Sequence, residues 1–96
     1  MQSGDTIQVQ QDARHWIYAT VITANADGSA LVQIRHPANV DDGKFQFFAA
    51  AKVRTKADVQ KMIDAMVAAN DGRNPQRETI VGREWQSLTN QLDYLS

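Results

Sequence analysis

Polar and apolar residues alternate from Thr6 to Gln10, which predicts a short strand with Ile7 and Val9 facing inward after the turn-forming Gly4-Asp5. Two longer β-rich segments follow, Trp16 to Ala24 and Ala30 to His36, parted by Asn25-Ala26-Asp27-Gly28-Ser29. Thr20, Val21, Ile22, Thr23, Val32 and Ile34 are β-branched and fit a pleated, half-buried surface, and Asp27-Gly28 supplies the positive φ of a hairpin turn. The rest of the chain is organised around this hairpin. In its second arm Val32 and Ile34 face inward, with Gln33 and Arg35 outward. In its first arm Ile17, Ala19 and Val21 share one face, while Trp16, Tyr18, Thr20 and Ile22 share the other. Both faces carry apolar groups, so the pattern leaves open which one is buried. Gln11 to His15 is polar and reads as a loop.

His36-Pro37 ends the second arm because proline cannot donate to a ladder, and Ala38 to Gly43 continues as a loop with an Asp42-Gly43 turn. Lys44-Phe45-Gln46-Phe47-Phe48 is a fourth strand. Ala49-Ala50-Ala51 leaves room for one 3₁₀ turn before a very short fifth strand, Lys52-Val53-Arg54. After Thr55 the period changes to 3.6, since Val59, Met62, Ile63, Met66 and Val67 form one apolar stripe. The spacing predicts a helix over 56–69, capped by Thr55 with Asp58, stopped by Asn70-Asp71-Gly72, and packed through its stripe on the strands. Asn74-Pro75 reads as the start of a second helix that runs to about Leu95. Val81, Trp85, Leu88, Leu92 and Leu95 form a narrow seam along it, suited to a partner helix. Gly82 within that seam costs about 1 kcal/mol relative to alanine. Two partners suit the seam: the first helix, in an antiparallel hairpin, or a second copy, in a dimer.

The order Gly4-Asp5-x-Ile7-x-Val9, Trp16-x-x-Ala19-x-Val21, Gly28-x-x-Leu31-Val32 and Phe47-Phe48-Ala49-x-x-x-Val53-Arg54 resembles small SH3-like barrels of the Tudor and KOW kind. The likeness covers about the first half of the chain. It implies a barrel whose fourth strand passes through a 3₁₀ turn into the fifth. A second likeness, to plasmid-borne type II dihydrofolate reductase, rests on the Gly-Asp start, a Trp in the second strand, His36-Pro37 and Phe45-Gln46-Phe47-Phe48. It implies an NADPH-dependent reductase. The chain departs from that pattern in lacking the tyrosine after the Gln-containing segment and in its longer loop after His-Pro. The expected fold is therefore α+β: an N-terminal SH3-like antiparallel β-barrel of about five strands (1–55), then a two-helix extension (56–96), in one compact unit.

A chain of 96 residues suits one domain that buries its own core. Without cysteine there is neither a disulfide scaffold nor a thiolate metal site. The polar start and the lack of a membrane-length apolar window lead to an expected soluble, cytoplasmic protein with no membrane partner, in keeping with a small bacterial or phage accessory protein. A net charge of −1 excludes a surface wholly adapted to phosphate. His15 and His36, with Asp12, Asp41 and Asp42, lack metal-ligand spacing. The glycines are scattered at turns, and no serine sits in a nucleophile elbow. No catalytic constellation and no cofactor are expected.

Two candidate surfaces remain. The first is the basic run Lys44, Lys52, Arg54 and Lys56, with Arg35 on an adjoining strand and Trp16, Tyr18, Phe45 and Phe47 as aromatics. It has the ingredients of a nucleic-acid platform, or of a cage for a methylated cation. The second is the helix seam. The expected function is a non-catalytic binding or assembly module for a protein partner or for itself, with nucleic-acid binding and reductase activity as alternatives.

Overall fold

A computed structural model describes residues 1–96. The strands are β1 (Thr6–Asp12), β2 (His15–Ala24), β3 (Ala30–Ile34), β4 (Phe45–Phe48) and β5 (Val53–Arg54). A 3₁₀ turn, Ala50–Lys52, precedes β5, and the helices α1 (Lys56–Ala69) and α2 (Ile80–Leu92) follow. The chain is thus α+β, with a five-stranded antiparallel sheet followed by two helices. It divides into two compact units, Met1–Thr55 together with Leu95–Ser96, and Lys56–Tyr94.

In the first unit the strand order is β4-β3-β2-β1-β5, a curled half-barrel in which β4 and β5 are the edges. The register Val9↔Ile17, Ile7↔Ala19, Ala19↔Ile34 and Val21↔Val32 places these side chains on one face, where all are buried. Ile17, Ala19 and Val21 therefore mark the inner face of β2. What decides it is the neighbouring strands: β1 offers apolar residues on that face only, and β3 buries Ala30, Val32 and Ile34 there. A bulge at Ile22, between the pairs Val21↔Val32 and Thr23↔Leu31, resets the alternation so that Ala24 meets Ala30 and packs on the same core. Phe48 closes this end of the core at 4% exposure.

The strand β1 outlasts its expected length. Asp12 accepts the N–H groups of Arg14 (2.9 Å) and His15 (3.0 Å), so a tight turn replaces most of the expected loop over 11–15. At the other turn Gly28 takes φ 90° and lies so near Ala50 that an added Cβ would stand 3.2 Å from the Ala50 Cβ. The final two residues belong to this unit as well. Ser96 donates its N–H to the Thr6 carbonyl (3.0 Å), and its hydroxyl oxygen accepts the Thr6 N–H (3.1 Å).

In the second unit α1 buries Val59 and Ile63 from its stripe, and Asp71 (φ 56°) and Gly72 (φ 76°) end it. Gly72 N–H returns to the Val67 carbonyl at 2.9 Å. The second helix is shorter than expected at both ends. Its cap is Thr79, whose hydroxyl oxygen accepts Gly82 N–H at 2.9 Å, and not Asn74. The segment before it turns back on itself: the Thr79 N–H and O–H both donate to the Gln76 carbonyl, at 3.1 and 2.7 Å. That carbonyl lies against Gly82, where a Cβ would stand 1.6 Å from the Gln76 oxygen. The glycine is a packing requirement.

The helices α1 and α2 pack on each other. Burial is uneven along the seam. Leu88 is buried, Trp85 and Leu92 are half-buried, and Val81 is 50% exposed. Leu95 lies beyond the helix, in the sheet-bearing unit, and is buried there. The physical reason is Asp93, which closes the helix as its C-cap.

Candidate functional site

The outer face of the sheet carries most of the candidate residues, and its rows follow from the register. Arg54 on β5 pairs with Gln8 on β1, which pairs with Tyr18 on β2, whose carbonyl accepts the Arg35 N–H. Trp16 pairs with Gln10. Phe45 and Phe47 on β4 pair with Gln33 and Leu31 on β3. Trp16, Tyr18, Arg35, Phe45, Phe47 and Arg54 therefore share one face but not one cluster, and Lys52 lies off the sheet in the 3₁₀ turn.

The basic residues are distributed, and two of them, Arg54 and Lys44, are engaged. Arg54 lies with its guanidinium carbon 4.4 Å from the Trp16 ring centroid, and its Nε donates to Gln8 Oε1 at 2.8 Å. One face of the Trp16 ring is thus covered by a side chain of the same sheet. Gln8 is a buried polar residue, at 2% exposure, that the alternating pattern does not single out. Lys44 pairs with Asp41 at 3.1 Å. Arg35 and Lys52 are exposed. Tyr18 stacks with His36 at 6.2 Å between ring centroids.

The loop between β3 and β4 is fastened to the end of β1. Gln11 Nε2 donates to Asp41 Oδ2 (2.8 Å) and Asn39 Oδ1 (3.2 Å), and Asn39 Nδ2 donates back to Gln11 Oε1 (2.6 Å). The histidines lie apart: His36 is on Tyr18, whereas His15 Nδ1 meets the Asp12 carboxylate at 2.8 Å. The backbone N–H of Arg14 and then the His15 side chain hold the Asp12 carboxyl below its ordinary value. The Ser29 hydroxyl and N–H do the same to Asp27. No three His, Cys, Asp or Glu side chains are grouped to hold a metal ion.

Comparison with protein-family models, curated proteins and solved structures gives no match. The site must therefore be read from its own geometry.

Its most exposed apolar part is the β4 edge. Phe45 is 63% and Phe47 58% exposed, Leu31 beside Phe47 adds 37%, and Ile22 on β2 is exposed to the same extent. Sequence reasoning placed Phe45 and Phe47 with the aromatics of a charged platform and passed over Leu31 and Ile22. The strand order was the missing signal, since it decides which strand has no neighbour. A second concavity, an open groove of about 830 Å³, lies in the helical unit beside Met66, Ala69, Pro75, Thr79 and Val81. No helix is long and apolar enough to cross a membrane.

Proposed function

We propose that this protein is a non-catalytic binding and assembly module that takes a protein partner along the β4 edge and the adjoining outer face of the sheet. The observation that carries this reading is the pair Phe45 and Phe47, each more than half exposed on a strand with one side unpaired. Large rings left in water at a sheet edge cost solubility and invite strand pairing, which natural sheets ordinarily prevent with charges or short edges. Strand addition supplies both what the rings and what the edge lack: apolar cover and backbone hydrogen bonds. The SH3-like resemblance of the first half fits a binding role.

Nucleic-acid binding is the weaker reading. Arg54 is seated on Trp16 and Lys44 is paired to Asp41, so two of the cations and one of the rings that phosphate attraction and base stacking would use are already engaged within the chain. Selection of random peptides displayed on phage, run in parallel on the wild type and on the Phe45→Lys/Phe47→Lys variant, tests the proposal together with sedimentation. Extended apolar peptides or self-association present in the wild type and absent from the variant are expected. Equal behaviour of the two proteins would refute the proposed surface.

A further inference from the structure

We infer that the occupant of the β4 edge is a second copy of this chain, paired antiparallel about a two-fold axis at Gln46; this rests on the reading of that edge as a protein-binding surface. The first argument is the direction of the backbone groups. Ile34 N–H donates to the Lys44 carbonyl at 2.8 Å, and the register continues Val32↔Gln46 and Ala30↔Phe48. Antiparallel ladders alternate, so Gln46 and Phe48 exchange their bonds with β3 while the N–H and C=O of Phe45 and Phe47 point to the open edge. Centred on Gln46, a second β4 brings Phe45 of one copy opposite Phe47 of the other, twice. Each such pair exchanges two hydrogen bonds, so four donors and four acceptors are satisfied by one symmetry operation.

The second argument is side-chain complementarity in that register. Phe45 and Phe47 stand on the same outer face, so the two pairs build a four-ring cluster flanked by Leu31 of both copies. Gln46 meets its own copy on the opposite face, where two amides can bond to each other. Lys44 falls opposite Phe48, which sends the two lysines to opposite ends of the ladder. At four residues apart they are separated by about 14 Å, beyond the screening length of about 8 Å in physiological salt. No acidic or basic side chain faces a like charge across the seam.

The third argument is area. At about 200 Å² per phenylalanine, the exposures of 63% and 58% leave about 240 Å² of aromatic surface per copy. Leu31, paired with Phe47 and 37% exposed, brings the apolar patch to about 300 Å². A standard interface buries about 800 Å² per partner, a little over half of it apolar. The patch supplies most of that apolar share before any flanking polar surface is counted.

The chain has no cysteine, so one engineered thiol reports the symmetry axis directly. Directly opposed residues of a non-hydrogen-bonded pair lie about 4.5 Å apart at Cα, within disulfide range. Sedimentation of the wild-type chain at about 100 μM should give a dimer. Mild oxidation should link Gln46→Cys into a covalent dimer, while Lys61→Cys, on the exposed face of α1, stays mostly unlinked. Phe45→Lys and Phe47→Glu should each weaken self-association at least tenfold, and an equimolar mixture should recover a heterodimer, because one Lys–Glu pair forms in this register. A monomeric wild type overturns the inference, and so does a dimer that links at Lys61→Cys rather than Gln46→Cys. A monomer that still selects peptides through Phe45 and Phe47 removes the second copy but keeps the binding surface. A monomer that selects none removes both.

Discussion

Replacing Gly82 by alanine separates two accounts of the second helix by the sign of the change. On helix propensity alone, alanine at an interior position is better than glycine by about 1 kcal/mol, so Gly82→Ala would stabilise. The packing gives the opposite sign. The added Cβ would stand 1.6 Å from the Gln76 carbonyl oxygen and 2.4 Å from its carbon, both backbone atoms that no rotamer change can move. To make room, the 75–78 segment must lift away from Thr79 and the start of α2. Lifting it breaks the two bonds from Thr79 to the Gln76 carbonyl and uncovers Pro75, which is buried. Each hydrogen bond contributes about 1 kcal/mol net, and disturbing the Thr79 cap costs about 1 kcal/mol more. Against the propensity gain the balance is a loss of about 1–2 kcal/mol, which lowers the midpoint of thermal unfolding by roughly 4–16 °C for a chain of this length. Urea and thermal unfolding followed by far-ultraviolet circular dichroism measure it, with Arg83→Ala as an exposed helix control expected to stay within about 0.5 kcal/mol. A Gly82→Ala protein more stable than wild type would refute the close approach of Gln76.

Arg54→Ala should destabilise the chain by about 1–2 kcal/mol in urea unfolding, through loss of the Trp16 contact and of the donor to buried Gln8. It should also shift Trp16 fluorescence, and Arg54→Lys should recover little, because an ammonium lacks the planar fork. Because the Asp12 carboxyl is held below its ordinary 3.8 in the folded chain, its ionised form favours folding above about pH 4, and that contribution disappears as pH falls through the lowered value. The stability difference between wild type and Asp12→Asn should therefore shrink below pH 4, and a carbon-detected titration of Asp12 with a midpoint at or above 3.8 would contradict it. Ser29→Ala should move the Asp27 titration upward, since the Ser29 hydroxyl, at 2.6 Å, is the first cause of its depression.

Where one face of a segment was unambiguously apolar, the pattern was enough. Ile7, Val9, Val32 and Ile34 all lie in the core, and α1 spans the residues its stripe defines. The strand β2 was ambiguous because its second face carries Trp16, Tyr18 and Ile22, side chains that the sheet uses for stacking on Arg54 and His36 and for a bulge. The start of α2 was misread because Asn74-Pro75 and Thr79 are both good caps. Choosing between them needs the Gln76 carbonyl, which is a tertiary fact. The outward aromatics were visible as residues but not as an edge, since Phe45 and Phe47 become notable only once β4 is known to lack a neighbour on one side.

Ser96 and Thr6 hold each other by two hydrogen bonds, so the polypeptide that leaves α2 comes back to the first strand. This contact, 90 residues apart in sequence, closes everything between the two residues into one loop. A single cut in the exposed turn around Asp71 and Gly72 would therefore yield two fragments that still share it, one carrying Thr6 and the other Ser96, rather than two pieces free to part.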